Sequence, residues 1–394
     1  MNSLATRLLL QGESRAYGFP KVCAWWDASR RETIVADAAS RVSRWKSLRA
    51  PASALTQTTG AAQPLLLDST AGAFLYVPGV TGNTATTPDS AALAITSLDF
   101  AIHVAADDWT PSGSNQVIAG QVVSFSATGM AWYLQINNAT GLLTLVHADG
   151  TSTYIDSSSV APSVADGTRI WLRVTMRPNV AGSREVIFYT APDAPSRPSS
   201  WSQLGTTITG AASAGLHNST AAFTVGGAVG FSEAFLGKVL TAELAAFGGA
   251  VIARFAAAEA SHNATSWVSS TGETWTVNQS GGVPAQIVGV GKTSLLFDGS
   301  SDFMRAAAFP LNQPTTVYFV GKQITNTASD YIYDGAVTNT MALMQNGGTA
   351  IRARAPTQVA NDVSPSLQAR AIVTSVFNGA ASSNRLNLGT PNTG

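Results

Sequence analysis

Alternating apolar and polar residues recur along most of the chain, and this pattern limits its possible folds more than any other feature. Residues 98–105, 170–176, 185–190 and 316–324 show it most clearly, and Gly, Asn, Asp, Ser or Pro bounds each segment. Successive side chains of a β-strand point to opposite faces of a sheet, so a period of two predicts strands with one buried face. Many short strands separated by turn signals predict an all-β fold built from antiparallel sandwiches.

One hairpin is especially well marked, in the segment AWYLQINNATGLLTLVHADG. Its alternation predicts strands over 132–136 and 142–147, and the Asn-Asn-Ala-Thr-Gly stretch between them is typical of a turn. Helical patterns are short. The best two, over 5–12 and 253–262, would each form about two turns if they were helical.

The chain also contains two similar stretches that lie far apart in sequence. Residues 64–80 (PLLLDSTAGAFLYVPGV) and 294–310 (SLLFDGSSDFMRAAAFP) both have the pattern of a strand, a turn and a second strand. Upstream of them, SRWKS…LTQTTGAAQP matches TSWVS…VNQSGGVPAQ at an offset of 222 residues. Matches at a nearly constant offset are typical of a duplicated unit.

This repeat and the length of 394 residues predict two sandwiches in tandem. We expect an N-terminal attachment segment over 1–24, a first sandwich over 25–249 and a second over 250–394. The second is shorter than the first and would be left with open sheet edges. We therefore expect either that the chain is a piece of a longer protein or that a partner strand completes the second sandwich.

The charge of the chain argues against two classes of partner. Lys plus Arg and Asp plus Glu number 23 each, so no net basic field would attract nucleic acid or an anionic membrane. Charged residues make up only 12% of the chain, against roughly 25% in typical globular proteins. A surface with so little charge repels its neighbours weakly, so we expect a homo-oligomer within a larger assembly.

Signals for export or for membrane insertion are missing from the sequence. The three-Leu run near the start is much shorter than the apolar core of a signal peptide, and Glu13 follows it closely. No stretch approaches the ~20 apolar residues that a membrane-spanning helix needs. Cys23 is the only cysteine, so no disulfide can form within the chain. We expect a protein that is made in a cytoplasm without a signal peptide.

Residues 24–64, AWWDASRRETIVADAASRVSRWKS…LTQTTGAAQP, resemble an opening of phage and prophage structural proteins that carry concanavalin A-like (laminin G-like) sandwiches. The matching motifs are Trp-Asp-Ala-Ser, Val-Ser-x-Trp, Thr-Gln and Gln-Pro. Residues 75–109 and 235–255 resemble the same group, so the resemblance covers about 20–394. It implies jelly-roll sandwiches and a place in a virion more than a chemistry. Residues 185–205 depart from the group, because a Pro-rich insertion replaces a tight Ser-x-Asp-Gly-x-x-Trp turn.

Some concanavalin A-like sandwiches are glycosidases, which place two carboxylates on alternate residues of one strand. No Glu-x-Asp-x-Glu or Glu-x-Asp-x-x-Glu run occurs here, and every Glu is solitary. Asp107 and Asp108 would point to opposite faces of a strand. No Gly-x-Ser-x-Gly motif occurs either, although a Ser-His-Asp triad can assemble from distant residues. We therefore predict no catalytic residues and no enzymatic activity.

Metal sites have little support in the sequence. The four histidines are scattered without the spacing of metal ligands. Loop carboxylates could supply oxygen ligands to a structural Ca²⁺, as they do in many laminin G-like domains: Asp89, Asp107, Asp108, Asp149, Asp330 and Asp334. Because Asp is also a common turn former, we predict no metal ligands and no cofactor.

Carbohydrate binding is the activity that the aromatic residues favour. An exposed ring can stack on a sugar while nearby polar groups bond its hydroxyls. Trp132 and Trp171 lie on strands with apolar neighbours, which predicts that they are buried. Trp109 and Trp201 lie in the polar loops DDWTPSGSN and RPSSWSQ, so they are the candidate sugar-binding residues. The alternative is that these rings cover a core, as Trp residues in loops more often do.

Together these patterns predict a bacteriophage virion structural protein, such as a tail fibre, a minor tail protein or a head-decoration (capsid) protein. Its expected partners are other virion proteins, with a host-surface glycan as a further candidate. One alternative is a virion-associated glycan depolymerase on the same fold. Another is a bacterial surface lectin, which the missing signal sequence disfavours. Head or tail location, copy number and the identity of the glycan are not specified by these patterns.

Overall fold

A computed structural model describes residues 7–12, 21–37, 39–48, 54–228, 231–280, 284–298, 301–307, 314–323, 330–335, 341–346, 348–355, 360–367 and 369–393. The chain forms two compact units. Unit 1 combines Met1–Asp68 with Lys292–Gly394, and unit 2 consists of Ser69–Gly291. In sequence, therefore, unit 2 is inserted into unit 1.

The strands are numbered in chain order. The first segment of unit 1 contains β1 (Arg7–Gly12), β2 (Lys21–Asp27), β3 (Ile34–Ala36), β4 (Val42–Trp45), β5 (Leu55–Thr56) and β6 (Leu65–Asp68). Unit 2 contains β7 (Phe74–Pro78), β8 (Thr84–Thr87), β9 (Leu98–Ala106), β10 (Gln116–Val122), β11 (Met130–Ile136), β12 (Leu143–Ala148), β13 (Thr153–Ser157), β14 (Ile170–Val180), β15 (Ser183–Pro192), β16 (Ser202–Gln203), β17 (Ile208–Ala211), β18 (Phe223–Val225), β19 (Leu236–Ala245), β20 (Val251–Ala256), β21 (Ser266–Val268), β22 (Thr274–Asn278) and β23 (Gln286–Val288). The second segment of unit 1 contains β24 (Thr293–Leu296), β25 (Thr315–Lys322), β26 (Tyr331–Tyr333), β27 (Ala342–Asn346), β28 (Ala350–Arg354), β29 (Arg370–Phe377), β30 (Ser383–Leu386) and β31 (Asn392–Thr393). Short 3-10 helices cover Arg31–Thr33, Gly60–Ala62, Ala91–Leu93 and Ala257–Glu259.

Unit 2 is a two-sheet sandwich. One sheet has eight strands in the order β13-β12-β11-β10-β18-β8-β22-β21. The other runs β16-β15-β14-β9-β19-β7-β23, with β17 paired to β15 and β20 paired to β19. Alternate residues of both sheets meet in one apolar core, where the rings of Phe100 and Trp132 lie 4.7 Å apart. Burial of these inward faces is the main force that holds the two sheets together.

Unit 1 is built around a six-stranded sheet in the order β2-β1-β25-β29-β30-β31. Two three-stranded sheets, β3-β4-β5 and β26-β27-β28, belong to the same unit. Its core contains Trp26 from β2, Trp45 from β4, Val373 from β29 and Ile351 from β28. Both segments of the chain therefore contribute strands and core residues to unit 1.

The predicted all-β class is confirmed. Within the described residues, every pair of named strands is antiparallel. The predicted hairpin is present as β11 and β12, which pair from Trp132↔His147 to Ile136↔Leu143. Both short helix predictions are wrong, because β1 occupies 7–12, and β20 continues into a single 3-10 turn rather than a helix.

The predicted boundary between 249 and 250 is not where the structure divides. β20 pairs with β19, and β22 pairs with β8, so residues on both sides of that boundary belong to the sheets of unit 2. Each of these strands buries residues in the same core, which makes a division there physically costly. The tandem arrangement is therefore replaced by an insertion.

The similar stretches that suggested a duplication have a different role. Their first strands, β6 and β24, pair with each other from Thr293↔Asp68 to Leu296↔Leu65. They are the strands that lead into and out of unit 2, and both belong to unit 1. Their likeness therefore reflects equivalent positions on the two sides of the insertion.

The predicted attachment segment over 1–24 is not a separate segment in the part that the structure describes, while a role in attachment stays a prediction. β1 lies between β2 and β25 in the six-stranded sheet, with Arg7 opposite both Asp27 and Val320. Strands from the first segment thus join the sheet that was predicted to need a partner strand. Among the described residues, no helix has both the length and the apolar character needed to cross a bilayer.

Candidate functional site

The outer face of the nine-stranded sheet of unit 2 concentrates aromatic and charged side chains. On β9, β14 and β15, the residues that alternate with core residues point to this face. We call its central group the aromatic–arginine cluster, which consists of His103, Trp171, Arg173, Tyr189 and Trp201. The first four come from strands, and Trp201 comes from the Pro-rich insertion.

Trp171 forms the floor of the cluster. It is fully buried, and its indole Nε1–H donates a 2.9 Å hydrogen bond to the carbonyl of Ala194. The imidazole of His103 stacks on it with ring centroids 4.9 Å apart, and the edge of Trp201 meets it at 6.4 Å. The Pro-rich insertion is therefore packed onto the sheet by an aromatic contact and a hydrogen bond.

Arg173 lies between the rings of Tyr189 and Trp201. Its guanidinium carbon is 5.3 Å from the centroid of Tyr189 and 5.7 Å from that of Trp201. The guanidinium also donates two hydrogen bonds to Asp99, of 2.8 and 2.7 Å. This hydrogen bonding raises the pKa of Arg173 above its ordinary value. Arg173 thus orients both rings that border the exposed side of the cluster.

A chain of ion pairs extends from the cluster across the sheet. Arg197 donates a 2.8 Å hydrogen bond to Asp99 and lies 3.5 Å from Glu243. Glu243 in turn lies 3.4 Å from Arg254. Asp99 and Glu243 come from the neighbouring strands β9 and β19, so the fold brings together two carboxylates that are remote in sequence.

His103 forms the other edge of the cluster. Its Nε2 lies 2.8 Å from Oδ1 of Asp193, whose side chain is 53% exposed. Burial lowers the pKa of His103, although the Asp193 carboxylate opposes that effect. Asp193 therefore presents an accessible carboxylate beside an aromatic floor.

The two predicted sugar-binding residues have different environments. Trp109 is only 3% exposed and belongs to the core of unit 2, so no ring face is available to a ligand. That prediction is wrong, because the polar loop places its aromatic ring inward as an anchor. Trp201 is partly exposed at the border of the aromatic–arginine cluster, where a ligand can reach it.

Trp132 and Trp171 are both buried, as predicted. Trp171, however, lies on the outer face of its sheet, beneath the insertion. Arg173, Tyr189 and His103 were missed at the sequence level. Their alternation places them on the same sheet face as Trp171 once the strands are paired. The pairing of β9 with β14, however, had to be known before this could be used.

A second charged group lies between the sheets at the edge of unit 2. Asp156 accepts hydrogen bonds from His147 at 3.0 Å and from Arg184 at 2.8 Å, and all three residues are buried. His147 Nδ1 has no partner in the part of the chain that the structure describes. This Asp–His pair is fully enclosed and bonds no hydroxyl nucleophile among the described residues, so its arrangement is that of a buried structural network.

Several loop acids considered as calcium ligands already have partners within the chain. Asp107 pairs with Lys238 at 3.3 Å. Asp108 accepts the backbone N–H of Thr110, and Asp149 accepts those of Thr151 and Ser152. In the ranges that the structure covers, no three His, Cys, Asp or Glu side chains group together as they would around a metal ion.

Comparison with known proteins yields only distant structural likenesses. No protein-family model matches the chain, and no curated protein matches it. A heptameric SAP-like pentraxin from Limulus polyphemus shares 14% identity over 45% of this chain and 77% of its own, with a TM-score of 0.30. Domains LG4–5 of the mouse laminin α1 chain share 9% identity over 86% and 80%, with a TM-score of 0.33. Tailspike protein 2 of the Escherichia coli O157:H7 bacteriophage CAB120 shares 14% over 62% and 26%, with a TM-score of 0.25. At these TM-scores, the likenesses identify neither a family nor a function.

Proposed function

We propose that this protein is a structural component of a bacteriophage virion that binds a host-surface glycan without cleaving it. The tail-fibre, minor-tail and head-decoration roles all suit a sandwich protein with no net charge that assembles with other virion proteins as a homo-oligomer. The resemblance of residues 24–64 to phage structural proteins supports the virion setting. The observation that carries the adhesive part is the partly exposed Trp201 next to Arg173, in a cluster that also contains Tyr189 and that Asp193 borders through His103.

The geometry of the cluster suits a sugar. The ring of Trp201 can stack on the apolar face of a pyranose, while the nearby arginine and carboxylate groups can bond its hydroxyls. Arg173 and the Asp99 carboxylate hold the platform in place before a ligand arrives. Such preorganisation reduces the entropy lost on binding.

The virion setting is tested by electron microscopy. Phage particles from a culture that produces this protein are labelled with gold-conjugated antibody against it and viewed in negative stain. We expect gold at a constant position on the tail or the head. Gold on bacterial surfaces, with none on particles, would instead support the surface-lectin alternative.

The adhesive role is tested by binding to purified surface polysaccharide of the host. Trp201→Ala should weaken binding by about tenfold, because a stacking contact of about 1.4 kcal/mol is lost. Phe125→Ala is the matched control, since Phe125 is 58% exposed elsewhere in unit 2. Equal losses in the two variants, or none in either, would exclude the cluster as the glycan site.

A second candidate function is glycan cleavage, which the proximity of Asp99 and Glu243 on adjacent strands favours. A glycosidase needs one protonated carboxyl group as its acid. Both oxygens of Asp99 accept hydrogen bonds from arginines, and Glu243 lies between Arg197 and Arg254, so arginines already face all four carboxylate oxygens. New reducing ends that form with the wild-type chain, but not with Asp99→Asn, would establish this function instead.

A further inference from the structure

The outer face of the six-stranded sheet of unit 1 carries three basic side chains on neighbouring strands. Lys322 on β25 lies opposite Arg370 on β29, and Thr374 on β29 lies opposite Arg385 on β30. These residues alternate with Val373, which belongs to the core, so they occupy the opposite face of the sheet. The positive charges are therefore gathered on one surface.

This charge has little compensation. Within the described residues, none of the three side chains forms an ion pair or a hydrogen bond. Between residues 303 and 394 the sequence contains six basic residues but only three acidic ones: Asp330, Asp334 and Asp362. Asp362 already binds Arg352 at 3.1 Å. β25, β29 and β30 contain no acidic residue, so this part of the face is basic in a chain whose total charge is zero.

The excess of positive charge affects the pKa of Lys322. Burial lowers its pKa, and the like charge of Arg370 lowers it further. An anion bound between the two side chains would relieve the repulsion and replace part of the lost hydration.

The other end of the face combines three kinds of recognition group in one row. Tyr318, Thr374 and Arg385 lie opposite one another on β25, β29 and β30. Thr374 is only 9% exposed, and its hydroxyl has no partner within the described residues. A buried hydroxyl without a hydrogen bond is costly, so a ligand oxygen at this place would be favourable. The row offers a ring, a hydroxyl and a guanidinium.

The pair of Lys322 and Arg370 lies at some distance along the sheet from Arg385, which is opposite Thr374. Arg370 and Thr374 are four residues apart on β29, which corresponds to about 13 Å in a strand. A single small ion cannot span that distance, whereas an extended oligosaccharide can. Three cations are also few for nucleic acid, which carries a negative charge every few ångströms.

We propose that this face of unit 1 binds an acidic oligosaccharide. One carboxylate would lie between Lys322 and Arg370, and another would bind Arg385 while a sugar ring rests on Tyr318. This site goes beyond the function proposed above. It lies in unit 1 and does not depend on the aromatic–arginine cluster of unit 2.

The experiment measures binding of the full chain to oligogalacturonate by calorimetry, with methyl-esterified oligogalacturonate as the neutral match. We expect the acidic form to bind and the ester to bind at least tenfold more weakly. The double variant Lys322→Gln/Arg370→Gln and the single variant Arg385→Gln should each lose about tenfold or more, because each loses a charge-assisted contact. Affinity should also fall as salt is raised.

Matched variants separate charge from folding. Arg44→Gln removes an exposed cation from β4 of the same unit and should leave affinity unchanged. Arg370→Lys keeps the charge and should keep most of the affinity, even if the glutamine variants are less stable. Trp201→Ala should bind oligogalacturonate normally, so its loss of glycan binding would affect only the function proposed for unit 2.

Three results would overturn the proposal. The first is equal binding of acid and ester, or affinity that neither glutamine variant changes. The second is saturation by inorganic phosphate alone at the same concentration, which would assign the face to a free anion. The third is tighter binding of an oligothymidylate than of oligogalacturonate, which would assign it to nucleic acid.

Discussion

At the scale of single residues, burial decides the chemistry of His147. The alternation in β12 puts it on the inner side of the sheet, and pairing with β13 brings it to Asp156. Burial lowers its pKa below 6.5 and the charge of Arg184 contributes, while Asp156 acts in the opposite direction. The folded protein therefore holds this ring neutral.

The stability of unit 2 should fall as the pH drops below about 6.5. Because the pKa of His147 is lower in the folded chain, the unfolded chain takes up a proton there more readily, so protonation favours unfolding. Burial lowers the pKa of His103 as well, with the same sign. The pKa of Asp156 is lowered, and its contribution is lost only as the pH falls below its ordinary value of 3.8. Between about pH 6.5 and about pH 5, the histidines should dominate.

Urea unfolding at about pH 7.5 and about pH 5 measures this effect. His147→Gln should weaken the pH dependence, because the contribution of His147 is lost while that of His103 remains. His217→Gln, at a partly exposed ring of the same unit, should keep the wild-type dependence. A midpoint that rises on acidification would contradict the argument.

Trp132 is the residue whose loss should damage the core most clearly. Its ring is fully buried against Phe100 and lies 5.9 Å from Phe223. Trp132→Ala should lower the free energy of unfolding of unit 2 by about 3–5 kcal/mol, because a large cavity forms. Phe125→Ala should change it by no more than about 0.5 kcal/mol, since that ring is exposed. Thermal unfolding followed by near-UV circular dichroism compares the two variants.

At the scale of elements, Asn83 ties the ends of the connection between β22 and β23 to the turn that precedes β8. Its amide donates hydrogen bonds to the carbonyls of Val80 and Ser280, of 3.2 and 2.7 Å. Its carbonyl accepts from the N–H groups of Ser280 and Ala285. One buried side chain therefore satisfies four backbone groups from two remote segments.

Asn83→Ala should destabilise unit 2 by about 3 kcal/mol, because several buried backbone groups lose their partners. The amides of Ser280 and Ala285 should then exchange with solvent faster than those of the central strand β9, which hydrogen exchange with mass spectrometry detects. Asn138→Ala, in the exposed hairpin turn, provides the control. It should change neither the stability of unit 2 nor the exchange rates of these amides. Uniform acceleration over all of unit 2 would show that the contact is not local.

At the scale of the whole molecule, the insertion sets an order of folding. The ends of unit 2 meet where the N–H of Gly291 donates a 3.1 Å hydrogen bond to the carbonyl of Ser69. β6 and β24 can pair at low entropic cost only after those ends are close, since closing so long an unfolded loop costs about 5 kcal/mol. Unit 2 should therefore fold first, and unit 1 should depend on it.

Two variants of the full chain test this order. Trp132→Ala in unit 2 should destabilise both units, whereas Ile351→Ala in the core of unit 1 should affect unit 1 alone. Hydrogen exchange reports each unit separately. A fragment of residues 69–291 should also unfold cooperatively on its own. Independent responses of the two units to Trp132→Ala would contradict the expected hierarchy.

Local sequence was sufficient to predict those elements whose structure depends only on residues that are close in the chain. The β11–β12 hairpin was predictable, because alternation and turn chemistry both act over a few residues. Trp109 was not predictable, since its loop is polar and only the folded core draws the ring inward. The boundary at 249 failed for a similar reason, because the pairing of β8 with β22 joins residues nearly two hundred positions apart.

By itself, the sequence determined that this protein is made of antiparallel β-sheets in which alternate side chains face a core, because alternation sorts side chains whatever the partner strand. It also identified Trp201 as a ring in an accessible polar loop. Only the tertiary structure decided that residues 69–291 form a unit inserted between two segments of another. It likewise decided which side chains meet Trp201 and which cations share the face of Lys322. The physical reason is that strand pairing over long separations depends on the core as a whole, which no local pattern encodes.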